Sequence, residues 1–285
     1  MTETVGRALR CPVCNAGFGV EVPVGIAPVA TETDHRPVFE GPDPIAADMI
    51  ACPSCRYAGY AEAFEGGRLE EGEEIDRPGV PPPLRPLGIP DEEELDHLRR
   101  WIRRGELVRE AGIGDREPTP AERYVLAARC RDYLTSDDPL PLADLYLRGA
   151  WCARAAGDRE LEKELLGEAV ELFEAALDEG QVEAADKGRT LYLAAELARR
   201  AGDFGTAVDL FGQVDAHLEL EEEEGLRLHR LARRMEALAS VQSDVAARMP
   251  SREELDAASS GDELAFFEEE GEEDEDDDED EDEDE

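Results

Sequence analysis

The sequence lacks the features that identify a membrane protein, a secreted protein or a common enzyme. No apolar run approaches the ~20 residues that a membrane-spanning helix needs. Residues 1–10 lack the apolar core of a secretory leader, so we expect a cytoplasmic protein. The four histidines share no motif, and no phosphate-binding glycine loop, GxSxG or HExxH occurs. We therefore expect a non-enzymatic protein.

Basic residues are scarce. The chain has 30 basic and 72 acidic side chains, only two of the basic ones being lysines, and its formal net charge is −42. Such a surface repels phosphate backbones, so we do not expect non-specific binding of nucleic acid. Arginines do cluster between residues 99 and 104, but Glu92, Glu93 and Glu94 precede them. That order favours pairing along one helix over a binding face.

Cysteine is used sparingly, and four of the six cysteines form two pairs, Cys11-Pro12-Val13-Cys14 and Cys52-Pro53-Ser54-Cys55. Two cysteines separated by two residues can direct both thiolates at one ion, and two such pairs complete a tetrahedral site. We predict four metal ligands: Cys11, Cys14, Cys52 and Cys55. Zinc in this closed site is structural, whereas iron would give a rubredoxin-like electron carrier; we favour zinc. His35 is not needed as a ligand.

Residues 1–65 have the pattern of a small β-rich zinc ribbon. Phe18–Val24 alternates as a strand returning from the first cysteine pair would, and Tyr57–Phe64 follows the second pair in the same way. Residues 27–47, between the pairs, form an insertion, which we expect to be either a lid on the ribbon or a surface loop. Cys130 and Cys152 lie in apolar helical patterns and are expected to be small buried side chains.

The remainder of the chain divides by composition. Residues 66–90 are rich in proline and glycine and predict a linker. Residues 91–250 predict an α-helical domain that begins at an Asp91 cap. Residues 251–285 include a run that is acidic at every position from Glu268 onward except Gly271, and they predict a disordered tail. The helical segments expected after the first are 118–134, 139–156, 158–179, 183–201, 204–218 and 222–248.

Two helical segments repeat. Ala169–Phe173 (AVELF) recurs as Ala207–Phe211 (AVDLF), and the turn Ala156-Gly157-Asp158 recurs as Ala201-Gly202-Asp203. Small residues and an aromatic at these positions are typical of tetratricopeptide-like helical hairpins, which present a groove to peptides. The first copy departs from a regular period, so a regular array does not follow. Candidate partner contacts on the inner helices are Tyr146, Arg148, Trp151, Tyr192, Arg199 and Arg200.

Several of these stretches resemble a bacterial family, domain of unknown function 2225. The matching segments are CPVCNAGF, CPSCRYAGYAEAF, ERYVLAARC, LADLYLRGAWCARAAGD and LYLAAELARRAGDFGTAVDLF, of which the block Leu142–Trp151 is the most specific. The resemblance implies a metal-binding ribbon followed by tetratricopeptide-like helices, with no established activity. The chain departs from the family where glycine often follows each cysteine pair, since Asn15 and Arg56 stand there. Asparagine tolerates a left-handed backbone, whereas arginine is strained in it.

These patterns favour a metal-binding adaptor that mediates protein–protein interaction, with an unidentified protein or peptide as its partner. A second hypothesis is a ribbon that reads nucleic acid through Tyr57, Tyr60 and Arg56, by stacking and phosphate contact. The net charge opposes that hypothesis. An iron redox protein is a third.

Overall fold

The chain begins with an antiparallel hairpin. Strand β1 (Glu3–Arg10) pairs with β2 (Gly17–Val24), in a register that runs from Glu3 opposite Val24 to Arg10 opposite Gly17. The first cysteine pair lies in the connection between them. The computed structural model describes residues 3–67, 79–84, 87, 89–114, 116–134, 138–220 and 222–251. Strand β2 confirms the predicted returning strand after the first cysteine pair.

A shorter hairpin carries the second cysteine pair. Strand β5 (Ile50–Ala51) pairs antiparallel with β6 (Ala58–Gly59), and a 3-10 helix follows at Ala61–Ala63. The predicted returning strand over 57–64 is thus extended for only two of its residues. An antiparallel bridge between Arg10 and Glu65 joins the end of this hairpin to the end of β1, which brings the two cysteine pairs together.

The insertion between the pairs has structure of its own. Strands β3 (Ala30–Thr31) and β4 (Pro37–Val38) form a third hairpin, and helix α1 (Pro44–Asp48) follows behind an Asp43 cap. The hairpin is neither a lid on the ribbon nor a surface loop, because Thr33 and Asp34 are fully buried against the later helices. The hairpin fits neither sequence-based alternative, since its charged residues find buried arginine partners, whereas α1 of the same insertion does pack on strand β2 of the ribbon.

Eight further helices are described after the ribbon, and they confirm the expected order of β-rich and α-helical parts. Their bounds are α2 Glu92–Arg103, α3 Glu106–Glu110, α4 Pro120–Leu134, α5 Pro139–Ala155, α6 Arg159–Asp178, α7 Lys187–Ala201, α8 Phe204–Val214 and α9 Glu223–Ser240. The predicted Asp91 cap is confirmed, because its side chain accepts from the backbone N–H of Glu94. Most of the predicted linker (68–78, 85, 86 and 88) and of the tail (252–285) lies outside the described residues.

The repeated sequences form two similar helical hairpins, α5–α6 and α7–α8. In each turn a glycine at positive φ (Gly157, 74°; Gly202, 93°) ends the first helix. The following aspartate caps the second helix: Asp158 accepts from the N–H of Leu161 and Asp203 from that of Thr206, both at 3.1 Å. A glycine adopts this left-handed conformation without the clash that a side chain would meet. Successive helices from α4 to α9 pack against one another.

The last helix is shorter than predicted. Helix α9 ends at Ser240, Gln242 has a positive φ of 59°, and residues 243–249 run in an extended conformation. We call residues 243–249 the C-terminal strap. Its carbonyl groups are bound by Arg199, and its end pairs with the insertion, so the tertiary contacts outweigh the helical propensity of VQSDVAARM.

One apolar core runs from the ribbon into the helices. Leu9, Ile50 and Phe64 of the ribbon belong to the same buried cluster as Tyr124 and Leu126 of α4. The hydroxyl of Tyr124 donates to the carbonyl of Ile45 at 2.8 Å, which fixes α1 against α4. The chain separates into two units after Met249, of which the second is described only at Pro250 and Ser251. Within the described ranges, no helix is long and apolar enough to cross a bilayer.

Candidate metal centre and helical groove

The two cysteine pairs lie in turns of the same geometry. In the first, the N–H of Asn15 donates to the carbonyl of Cys11 at 2.9 Å, and in the second the N–H of Arg56 donates to the carbonyl of Cys52 at 3.0 Å. In both turns the backbone of the donor residue adopts the left-handed conformation, with φ of 64° at Asn15 and 67° at Arg56. The expectation that these residues occupy glycine-like positions is confirmed. The turns point both thiols of each pair to the same side.

The four thiols converge on one point. All four sulfur atoms lie within 4.8 Å of one another. Cys11 Sγ lies 3.7 Å from Cys55 Sγ, and Cys14 Sγ lies 3.5 Å from Cys52 Sγ. A tetrahedral ion with Zn–S bonds of ~2.3 Å places its sulfur ligands about 3.8 Å apart. The observed spacing therefore fits a four-thiolate ion, and the four cysteines together can hold a metal.

The cluster is closed on its inner side. Cys11 and Cys52 are buried, Cys55 is half-buried and Cys14 is exposed. Thiols packed this closely hold their protons unequally. A hydrogen bond with Cys52 raises the pKa of Cys11 to about 12, and hydrogen bonds from Cys11 and Cys55 lower the pKa of Cys52 to about 2. A bound cation would hold all four as thiolates and remove this competition.

Helix α2 lies beside the first cysteine turn. Arg99 donates to the carbonyl of Pro12 at 2.9 Å and pairs with Asp96 at 2.7 Å. Arg100 and Arg103 line the same cleft and are exposed. Guanidinium groups here offset part of the negative charge that four thiolates bring. The prediction that the clustered arginines pair along their own helix is confirmed for Arg99, which pairs with Asp96 of α2.

The tyrosines proposed for nucleic-acid stacking are not on an open surface. Tyr57 is buried, with its ring centroid 5.5 Å from that of Phe64. Tyr60 is half-buried, and Arg56 donates to the carbonyl of Arg116 at 3.0 Å. His35 lies outside the cysteine cluster, in the turn of the insertion, with its ring edge toward Tyr192. Cys130 and Cys152 are buried in the helical core, as expected.

A second site lies on the inner face of helices α5 and α7, which we call the helical groove. The carboxylate of Asp34 enters it and accepts from three side chains: Arg154 at 2.7 Å, Arg200 at 2.9 Å and Trp151 Nε1 at 3.1 Å. Burial alone would raise the pKa of Asp34, but the two guanidinium groups outweigh it and hold the pKa far below its usual range. Asp34 is therefore held as an ionised carboxylate in a binding site, the receptor, that Trp151, Arg154 and Arg200 of the helices form.

The groove continues past Asp34 through a second buried pair. Glu196 and Arg199, both fully buried, pair at 2.7 Å. Glu196 also accepts from the hydroxyl of Thr33 at 2.6 Å, and the hydroxyl of Tyr192 donates to the carbonyl of Thr33 at 2.8 Å. Arg199 donates to the carbonyls of Ser243 and Val245 at 2.6 and 2.9 Å. The insertion and the C-terminal strap thus lie side by side in the groove.

The N-terminal end of the groove holds a proline segment. Arg148 donates to the carbonyls of Pro81 and Pro82, both at 2.9 Å, and pairs with Asp144 at 2.9 Å. The guanidinium carbon also lies 5.9 Å from the ring centroid of Trp151. Burial raises the pKa of Asp144 in spite of its single arginine partner. Three extended segments of the chain are therefore bound in one groove.

The six candidate partner contacts are all buried in this groove or its walls. Tyr146 is buried among the helices, and the other five contact the chain's own segments or sit directly beside them. An external partner would have to displace those segments. Sequence reasoning selected the groove residues but missed their occupants, Glu32, Thr33 and Asp34. It also missed Arg154 and Glu196, although a carboxylate three residues before an arginine in the apolar stretch LYLAAELARR was a signal of a buried pair.

Comparison with known proteins gives one match. Residues 115–238 match the model of a family described as an uncharacterized protein conserved in bacteria (DUF2225). The match confirms the resemblance seen in the sequence: this helical part of the chain is similar to that family. The ribbon lies outside the matched residues. No curated protein and no solved structure matches the chain.

Proposed function

We propose that this protein is a zinc-binding, non-enzymatic adaptor of the cytoplasm, whose helical groove binds extended polypeptide segments. The observation that carries the proposal is the content of the groove. Tyrosine and arginine side chains of α5 and α7 donate to backbone carbonyls of three separate extended segments. Donors that bind carbonyl groups recognise an extended backbone with little regard to its sequence, which is the chemistry an adaptor for peptides needs.

Zinc fits the proposal better than iron. A four-thiolate site leaves no ligand position for water, so a zinc ion here would fold the ribbon and supply no Lewis-acid chemistry. The site also lies at the junction of two hairpins, one with eight-residue strands and one with two-residue strands, where metal ligation can replace a large core. Iron in the same geometry would give a red protein with visible absorbance. Metal analysis of the protein purified from its own cells separates the two metals.

The tetratricopeptide-like character of the hairpins supports the same function. The two turns at Gly157-Asp158 and Gly202-Asp203 have the same hydrogen bonds, and Phe173 and Phe211 are buried at equivalent positions of α6 and α8. Stacked hairpins of this kind form extended concave surfaces that bind peptides. The nucleic-acid hypothesis has less support, because Tyr57 is buried and the chain is strongly acidic.

The test is affinity purification of the tagged protein from its own cells after nuclease treatment. We expect specific protein partners by mass spectrometry, and we expect their loss from the double variant Cys11→Ser, Cys52→Ser and from a variant lacking residues 139–220. The matched control is Cys130→Ser, which changes a buried thiol outside the cluster. Recovery of nucleic acid alone, with binding that weakens steeply in salt, would overturn the adaptor in favour of the second hypothesis.

A further inference from the structure

The turn of the insertion hairpin is held in the helical groove by polar contacts. Thr33 and Asp34, which have no exposed surface, are both polar, and Val29 is more than half exposed. The apolar contacts of the hairpin lie in and after its second strand, where Pro37 is buried and Phe39 packs against the core. A contact of this kind resembles a transient interface more than a folded core, because the groups it buries can be hydrated again when it opens. The apolar anchor of the insertion lies further along, at Ile45 and Met49.

Two glycines flank the hairpin. Gly25 has φ of 69° and Gly41 has φ of 112°, and a side chain at either position would meet no atom within 4 Å. Glycines in open space can change their backbone angles without a clash, and hinges use such positions. Residues 26–40 can therefore leave the groove while the ribbon and α1 stay in place.

The receptor that the hairpin occupies has a net positive charge of its own. Around Asp34, the helices contribute Arg154 and Arg200, and their one carboxylate in contact with these arginines is Glu162. The hairpin contributes Glu32, Asp34 and Arg36. Among the described residues, these helical groups sum to one positive charge, which the two carboxylates and one guanidinium of the hairpin neutralise. Trp151 Nε1 adds a directed donor at that carboxylate.

The backbone next to the receptor also selects an extended chain. The N–H of Thr33 donates to the carbonyl of Ala247 at 2.9 Å, and the N–H of Met249 donates to the carbonyl of Thr31 at 2.7 Å. The C-terminal strap therefore serves as a strand to which the insertion is added, antiparallel, by its main chain. A segment that binds here must be extended and must place an aspartate one residue after its pairing position.

We propose that α5, α7 and the C-terminal strap form an aspartate-selective site for extended peptides, and that the insertion hairpin is its displaceable internal ligand. The external ligand is a protein segment with the chemistry of Thr31–Asp34: extended and polar, with a glutamate at its second position and an aspartate at its fourth. This inference rests on the proposed adaptor function, for which it names the chemistry of the partner. The hairpin then keeps the site covered until such a segment competes for it.

The test uses full-length, metal-loaded protein and a fluorescent peptide with the sequence of residues 28–40. The protein variant Asp34→Ala removes the internal carboxylate, and the matched control is Glu40→Ala, an exposed carboxylate of the same insertion. We expect the Asp34→Ala protein to bind the peptide at least about tenfold more tightly than the Glu40→Ala protein does, because the internal competitor is weakened. We also expect a peptide with Asp34→Asn to bind at least about tenfold more weakly.

Equal binding of the unaltered and the Asp34→Asn peptide, or no binding by a folded Asp34→Ala protein, would overturn the proposal.

Hydrogen exchange of the unaltered protein gives a second test that needs no variant. We expect the amides of Glu32, Thr33 and His35 to exchange at least about tenfold faster than those of α7, through local opening. Exchange at the rate of α7 would make the hairpin a permanent part of the core. Neither result depends on finding a cellular partner, so failure of the adaptor function would be distinguishable.

Discussion

The ribbon and the helical groove are built on opposite principles. The ribbon has one long and one short hairpin and two cysteine turns, and it brings four thiols within 4.8 Å of one another. The groove belongs to a large helical core, yet it buries arginine, aspartate and glutamate side chains. The comparison teaches that charge is compensated differently in each: the ribbon offers four thiols that could hold a cation, whereas the groove pairs side chains of the same chain.

Removal of the metal should have the largest effect. A structural zinc ion contributes on the order of 10–16 kcal/mol of apparent binding free energy in small domains. We expect Cys11→Ser with Cys52→Ser to abolish stoichiometric metal, measured by elemental analysis, and to expose the amides of β1 and β2 to exchange. Helices α5–α8 should keep their protection. Cys152→Ala serves as control and should keep the metal; loss of metal in it would contradict the assignment of ligands.

Removal of one partner of a buried pair should come next. Glu196→Ala leaves the guanidinium of Arg199 buried and without its carboxylate, and such changes cost about 3–5 kcal/mol of unfolding free energy. Arg233→Ala breaks partly exposed pairs with Asp215 and Glu236 and should cost at most about 1 kcal/mol. Urea denaturation of both variants measures the difference. Similar losses in the two would mean that burial does not distinguish the groove from the surface.

The two buried aspartates should respond to pH with opposite sign. The pKa of Asp34 is lowered, so its charge stabilises the fold above the unfolded pKa of ~3.9, and that contribution is lost as the pH falls below it. The pKa of Asp144 is raised by burial, so the folded state takes up its proton first and gains stability as the pH falls.

Unfolding free energies at pH 7, 5 and 3 test this contrast. The unfolding free energy of wild type minus that of Asp34→Asn should decrease from pH 5 to pH 3. The unfolding free energy of wild type minus that of Asp144→Asn should increase as the pH falls. A decrease in both would mean that Arg148 alone lowers the pKa of Asp144 as effectively as Arg154 and Arg200 together lower the pKa of Asp34.

The smallest effect is expected at the cysteine turns. Arg56 and Asn15 occupy equivalent left-handed positions, and arginine is the more strained of the two. We expect Arg56→Gly to stabilise the ribbon by about 0.5 kcal/mol and Asn15→Gly by less, measured as resistance to a chelator. Arg56→Lys keeps the strain and is the control. Faster metal loss from Arg56→Gly would show that the hydrogen bond to Arg116 outweighs the strain.

The sequence predicted the parts that depend on local patterns. The cysteine spacing specifies the ribbon and its ligands, Asp91 specifies a helix start, and Gly157-Asp158 and Gly202-Asp203 specify two turns. The domain boundaries at residues 65, 90 and 250 stay predictions. The destination of Asp34 was not predictable, because its partners Arg154 and Arg200 are more than a hundred residues away. Residues 243–248 had helical composition, and the contacts with Arg199 and with the insertion explain why they are not helical.

The pairing of Thr31 with Met249 has a consequence for the order of synthesis. A ribosome makes the insertion early and the C-terminal strap only after α9, so the strand partner of the insertion does not exist while the helices fold. Arg154 and Arg200 can bind Asp34 at that stage, but Arg199 must wait for the carbonyl groups of Ser243 and Val245. The last step in closing the groove is therefore the arrival of the segment that is made last.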